Sequence, residues 1–402
     1  MRGLPESGSW RRLIGERDAT RFGPLIRSEI ERLAAAPPDL PDDPSYATGL
    51  SGLALTYGQL AQVTGERRWL ERARTALAAA LDAQSRMETS RLGFFSGLTG
   101  VGWTVHRLAP LLEIDAPAAI TADLDAALVE ALGAGAWRWE IDLVSGIVGI
   151  GCYLLDHPDR SLANAQIGVV VDRLEELALW DDDGVRWLTK PAFLTADQAA
   201  AYPAGRFDLG LAHGAAGLIA LLARICHRGP GGAREVALLR PAVSWLLANR
   251  RQATTGSSFS RFARPAALMS CRSAWCYGDP GIAVALLAAA RALGDSTLWS
   301  ETVNIARRSA ARPLAETEVS DACLCHGSGG LGHIFNCLYQ ATGEHGLELA
   351  ARFWLDETAS YLESAMDQDL CLLQGRAGAF LALLAAVGDH EPLWSRPLLV
   401  GW

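Results

Sequence analysis

The chain has 402 residues, 50% of them hydrophobic and 20% charged, a balance that suits an ordinary globular protein with one large core, two domains or one repeated architecture. A formal net charge of −9 argues against nucleic acid as a partner, because neutralising phosphates needs a basic face. No apolar run approaches the ~18 residues of a membrane span, and the start from Met1 to Trp10 lacks the apolar core of a signal peptide. A cytoplasmic protein without an integral membrane segment is therefore expected, with its eight cysteines serving as buried thiols or metal ligands and not as disulfides.

In chain order, the segment from Asp18 to Ala36 reads as a helix that packs outside the first of a series. A Gly-x-x-Gly pair followed by an apolar helical stretch then recurs seven times, at Gly49/Gly52, Gly97/Gly100, Gly146/Gly149, Gly214/Gly217, Gly278/Gly281, Gly327/Gly330 and Gly375/Gly378. Successive starts lie 48, 49, 68, 64, 49 and 48 residues apart, too regular for chance. Each pair opens a small-residue-rich helix that is apolar nearly all round, such as Gly281 to Ala290. A second, amphipathic helix follows, as in Arg68 to Gln84, Ala233 to Arg250 and Leu347 to Met366. A helix apolar on every side is buried and one with a single stripe faces water. The expected fold is all-α: a single α/α toroid domain over residues 1–402, with seven inner and seven outer helices, in which the glycines permit tight entry and close helix approach.

Two long intervals contain insertions, at about residues 181–208, with a strand-like Val185 to Leu188, and at about 253–270. Both precede glycine pairs that carry candidate site residues, so both are expected near the mouth of the site. The residue before each first glycine is Thr48, Ser96, Ser145, His213, Tyr277, His326 or Gln374, all polar. One position earlier the residues are apolar except for Cys276 and Cys325. Inner-helix N-termini thus ring a polar mouth.

Cys276, Cys325 and His326 supply the three protein ligands of a catalytic zinc with one open position. Cys271 and Cys323 lie near enough to substitute as ligands but do not share the register, and Cys152, Cys226, Cys337 and Cys371 read as inert core thiols. Two thiolates make the metal a weak activator of water but suit it to binding a third sulfur, whose proton it displaces. His213 is a candidate general acid or base, Asp142 a group to orient it, Arg272 a stabiliser of an oxyanion or enolate, and Tyr277 a further donor. Taken singly, Asp142 would also serve as a helix cap and Arg272 as a surface cation.

The seven glycine pairs, with Leu211-Ala212-His213-Gly214, Trp275-Cys276-Tyr277-Gly278 and Cys325-His326-Gly327, resemble the LanC family of lanthipeptide cyclases, in particular the stand-alone cyclases of class I systems. The resemblance implies an α/α toroid with one zinc per chain on Cys276, Cys325 and His326. It places the family's catalytic residues on His213, Asp142 and Arg272, with Tyr277 as the aromatic after the first Cys ligand. It further implies addition of precursor-peptide cysteine thiols to dehydroalanine or dehydrobutyrine, giving (methyl)lanthionine thioether rings. The implied partners are a leader-bearing dehydrated precursor, a dehydratase and an exporter that would bring the protein to the inner membrane. The first three repeats leave no room for the early inserted module of some relatives. Two alternatives remain: an enzyme adding glutathione or another small thiol to dehydrated residues in proteins, and a non-catalytic zinc-containing scaffold that binds peptide. A carbohydrate enzyme on the same fold would need paired carboxylates at the rim, and the seven polar positions hold none.

Overall fold

The computed structural model describes residues 10–15, 19–35, 42–87, 91–228, 232–251, 255–263, 269–364 and 369–401. The signal-peptide reading of the first nine residues, the helix ends at Asp18, Ala36 and Met366, and residues 253, 254 and 264–268 of the second insertion lie outside the described residues. After α1 (Ala19–Ala35), each glycine pair starts a helix and most are followed by a partner. The pairs are α2 (Leu50–Thr64) with α3 (Arg67–Ser85), α4 (Leu98–Leu112) with α5 (Pro117–Gly133), and α6 (Ile147–Leu155) with α7 (Arg160–Leu177). The first insertion holds β1 (Leu179–Asp181), β2 (Gly184–Arg186) and the short α8 (Ala196–Ala201). Next come α9 (Ala215–Arg228) with α10 (Ala233–Ala248), α11 (Asp279–Leu293) with α12 (Ser296–Ala310), and α13 (Ser328–Thr342) with α14 (His345–Ser364). The last glycine-led helix is α15 (Arg376–Val387).

Burial follows the sequence pattern. Every residue of α6 is buried, whereas α12 buries only a stripe that includes Leu298, Thr302, Ile305 and Ser309. The glycines answer chiefly to their own loops. In six of the seven repeats, the N–H just after the first glycine donates to the carbonyl six residues before that glycine, as from Leu98 to Arg91 and from Ala215 to Asp208. A Cβ on Gly97 or Gly214 would collide with that same carbonyl. Gly278 additionally takes a φ of 104°, open only to a residue without a side chain. Approach between neighbouring elements is a second constraint: a Cβ on Gly281 would lie 3.1 Å from the Leu211 Cβ.

The chain forms two compact units, one built on Ala127–Glu318 with Pro397–Trp402, the other on Ser7–Ala126 and Val319–Arg396. In the first, α6, α9 and α11 pack in succession, with α7, α10 and α12 against them. In the second, α13 packs on α15, α15 on α2 and α2 on α4, so the last glycine-led helix meets the first. Here α1 packs chiefly on α15 and α14. The reason is a buried ion pair: Arg376, the first residue of α15, contacts Glu29 of α1 through both Nε and Nη2 and donates to the Leu362 carbonyl at 2.8 Å.

Loops before the glycines are joined backbone to backbone. In the second unit Cys325 N–H donates to Leu373, Leu373 to Ala47 and Ala47 to Phe95, at 2.9 to 3.0 Å. In the first unit Leu143 donates to Ala212 at 3.0 Å and Ala212 to Cys276 at 3.2 Å. The equivalent register read from the sequence is therefore a real hydrogen-bonded row within each unit.

The first insertion starts slightly earlier than expected, with β1 paired antiparallel to β2. The strand-like reading holds for Val185 and Arg186. Asp181 closes the turn by accepting the N–H groups of Asp183 and Gly184. An antiparallel bridge at Thr189/Arg206 closes the first insertion on itself, and one at Asp208/Phe262 joins it to the second.

Candidate functional site

In the first unit the loops before α6, α9 and α11 converge. Asp142 accepts the Ser145 N–H at Oδ1, 2.8 Å away, a side-chain bond that braces the loop. That leaves Oδ2 2.6 Å from the His213 Nδ1. The Tyr277 ring lies near-parallel to the imidazole, with centroids 5.9 Å apart, and its hydroxyl donates to Asp208 Oδ1 at 2.9 Å. Asp208 Oδ2 accepts from the Thr189 hydroxyl at 2.9 Å and from Arg206 Nε at 3.1 Å. Arg206 also stacks over the Phe262 ring, 4.2 Å from its centroid. Of the four expected catalytic residues, three are thus together.

The electrostatics follow from this packing. Burial works to lower the His213 pKa, but the hydrogen bond and charge of Asp142, with the charges of Asp208 and Cys276, outweigh it and hold the imidazole above its ordinary 6.5. Burial raises the Asp208 carboxyl despite the opposing Arg206 guanidinium. Burial and then the Asp208 charge drive the Tyr277 phenol upward, so Tyr277 stays a neutral donor. Cys276, buried next to Tyr277 in sequence, is close enough for its charge to be felt at His213.

His213, Asp142, Tyr277 and Asp208 border a cavity of about 510 Å³. Arg272 does not line it. Its side chain lines a second cavity of about 300 Å³ with Tyr202, Arg261 and Glu318, where its buried Nε has no hydrogen-bond partner among the described residues.

In the second unit, Cys325 and His326 sit on the loop that enters α13. His326 Nε2 lies 3.5 Å from Asp321 Oδ2, and the His326 N–H points to the Cys323 Sγ at 3.5 Å. Asp321, Cys323 and His326 place their donor atoms within 4.8 Å of one another, a group able to hold a cation. Burial, and then the hydrogen bond of Asp321, push the Cys323 thiol up to about 12.

Asp208, Arg206 and Asp321 are not among the residues that the sequence reading singled out. A signal existed: six residues before the first glycine stand Asp43, Arg91, Glu140, Asp208, Arg272, Asp321 and Asp369, every one charged. Arg206 and Thr189 carried no such signal, because they reach Asp208 through the insertion.

A model of the family described as lanthionine synthetase C-like protein matches residues 41–399. The chain belongs to this family. Over 204 residues it is 24% identical to the nisin biosynthesis protein NisC of Lactococcus lactis subsp. lactis, an alignment covering 48% of this chain and 47% of that protein. The match therefore spans about half the length of that curated relative. A solved structure titled Nisin cyclase superposes with a TM-score of 0.74 over 96% of this chain and 98% of its own, at 18% identity. That likeness shows the fold of this family member to be the α/α toroid expected from seven repeats.

Proposed function

We propose that the protein is a zinc-dependent lanthipeptide cyclase, joining cysteine thiols of a dehydrated precursor peptide to dehydroalanine or dehydrobutyrine in the same peptide. The observation that carries this reading is the 2.6 Å Asp142–His213 pair, facing a cavity that Tyr277, the residue after Cys276, also lines, in a chain of this family. The donors suit the metal: thiols and imidazole are the N/S ligands zinc prefers, no disulfide occupies Cys276 or Cys325, and Asp321 stands at His326 as the carboxylate that commonly fixes a ligating ring. Cys276, Cys325 and His326 would hold the ion, which when bound favours the thiolate form of an incoming thiol at neutral pH.

The overall change breaks one S–H bond, adds sulfur to the β-carbon and puts a proton on the α-carbon, with no oxidation or reduction. Asp142 engages Nδ1 of His213 and leaves Nε2 to move a proton at the α-carbon. Tyr277, its hydroxyl already donated to Asp208, holds the imidazole by its ring face. Arg272 we assign to orienting the peptide or its developing enolate, on the strength of the buried guanidinium nitrogen left unpaired in its cavity. The proposed partners are a dehydratase and an exporter, and the proposed location is cytoplasmic. Among the described residues no helix is long and apolar enough to cross a membrane.

The test uses a peptide with one dehydroalanine and one cysteine. Ring closure adds no mass, so it is read as loss of alkylatable thiol in the mass spectrum. The wild type should consume the thiol and His213→Ala should lose roughly 10²- to 10⁴-fold in rate. Faster addition of glutathione to a cysteine-free dehydrated peptide would reject ring closure in favour of small-thiol transfer. Unchanged rates in His213→Ala with metal retained would reject catalysis by this pair.

A further inference from the structure

The cavity at His213 is much larger than the reacting groups need. Dehydroalanine brings a methylene and cysteine a thiol, whereas about 510 Å³ is the size of a site that takes a whole small molecule or side chain. Asp142, His213, Tyr277 and Asp208 line it together with the charged Glu140, Glu176 and Lys190. Its apolar surface is built by Trp139, Leu177, Leu188, Phe193 and Leu194.

This wall is preformed. Trp187 Nε1 donates to the Leu174 carbonyl at 2.7 Å, and Thr189 pairs with Arg206 in both directions, at 2.9 and 3.1 Å. The insertion is therefore anchored on both sides of Leu188. Trp139, also in the lining, packs edge-on against Trp137, with centroids 4.9 Å apart, yet remains 45% exposed. A tryptophan held by one ring while its remaining surface meets solvent beside an apolar hollow marks a contact surface for a ligand, not a core position.

We propose that this cavity receives the apolar side chain of the residue adjacent to the dehydroalanine in the substrate peptide, and so selects ring sites flanked by large aliphatic or aromatic residues. The inference rests on the cyclase reading and adds a specificity determinant to it. Its geometric basis is continuity: neighbouring α-carbons are about 3.8 Å apart, so a peptide whose α-carbon meets His213 must place an adjacent side chain in the space that His213 itself borders. The first insertion, absent from the repeats spaced 48 and 49 residues apart, then exists to build a pocket wall.

The experiment uses peptides with one dehydroalanine, one cysteine and Leu, Phe, Ala or Glu next to the dehydroalanine on either side. On one side, kcat/KM for the Leu and Phe peptides should exceed that for the Ala peptide by about tenfold, the scale of discrimination for a hydrophobic pocket. Phe193→Ala and Leu188→Ala should bring that ratio towards one, as should Trp139→Ala, a half-exposed site with little risk to folding. Affinities of the same peptides, measured by calorimetry, provide a readout that does not need turnover. A Leu-over-Ala affinity preference lost in the variants, with no thioether formed by any peptide, would support the pocket while rejecting the cyclase reading. Equal values for all four peptides, a preference for Glu, or a preference that survives in all three variants would overturn the pocket.

Discussion

Replacing Asp142 by Asn tests the proton-moving pair without emptying its space. Oδ1 of the asparagine can still accept the Ser145 N–H, as Asp142 does at 2.8 Å, so the amide nitrogen turns towards His213 Nδ1. Two donors cannot face each other there, and the imidazole must accept at Nδ1 and carry its proton on Nε2. The bond lost is a charge-assisted one, 2.6 Å long, of a kind that contributes about 1.5 to 3 kcal/mol. If it is fully expressed in the transition state, at about 1.36 kcal/mol per decade, kcat/KM should fall roughly 10- to 150-fold. The pH profile supplies the second readout. With His213 as the proton donor, activity is lost on the alkaline side as pH rises through its pKa, which Asp142 holds above 6.5 against burial. Without the carboxylate the burial effect dominates, so this limb should move to lower pH. The same sign governs stability: a raised histidine pKa stabilises the fold below 6.5 and loses that contribution as pH rises through the folded value, a dependence the variant should lack. Steady-state thiol-loss assays across pH, with zinc content measured in parallel, check all of this. A rate within threefold of wild type, or an activity loss on the acid side instead, would refute the assignment of His213 as the acid.

Two further predictions concern the metal and the fold. Elemental analysis should find one zinc per chain in the wild type, with its loss and the loss of cyclisation together in Cys276→Ala and in Cys325→Ala. Stoichiometric zinc in both variants would move the ligand assignment elsewhere, with Asp321, Cys323 and His326 the available set. Glu29→Ala should destabilise the fold by about 3 to 5 kcal/mol, because it removes the carboxylate that neutralises the charge of buried Arg376, whose side chain is 1% exposed. The pair Glu29→Leu with Arg376→Met should recover most of that loss in a denaturant titration, and a single-variant change below about 1 kcal/mol would show that the ion pair contributes little.

What could be read without coordinates follows a physical division between local and distant constraints. The glycine pairs were legible because each is imposed by a loop a few residues long, and that loop recurs seven times. Asp142 and His213 were legible because they hold fixed offsets from their glycines. Glu29 and Arg376 were not, since they are 347 residues apart and nothing in either neighbourhood announces the other. Arg206 escaped notice for a similar reason: its importance lies in reaching Asp208 from an insertion whose path the repeat cannot specify. Arg272 shows the limit of offset reasoning. It shares the charged position of Asp208, six before its glycine, but lines a different cavity because local packing decides where a long side chain goes.

The backbone row through Cys325, Leu373, Ala47 and Phe95, and its counterpart through Leu143, Ala212 and Cys276, is made by main-chain groups. Those groups are common to all amino acids other than proline, so this part of the fastening does not depend on which side chain stands at each turn. Chemistry can thus be swapped at one station while its neighbours keep their places. A scaffold of this kind lets new donors, acids or bases be tried one turn at a time, with the folding of the whole insulated from the experiment.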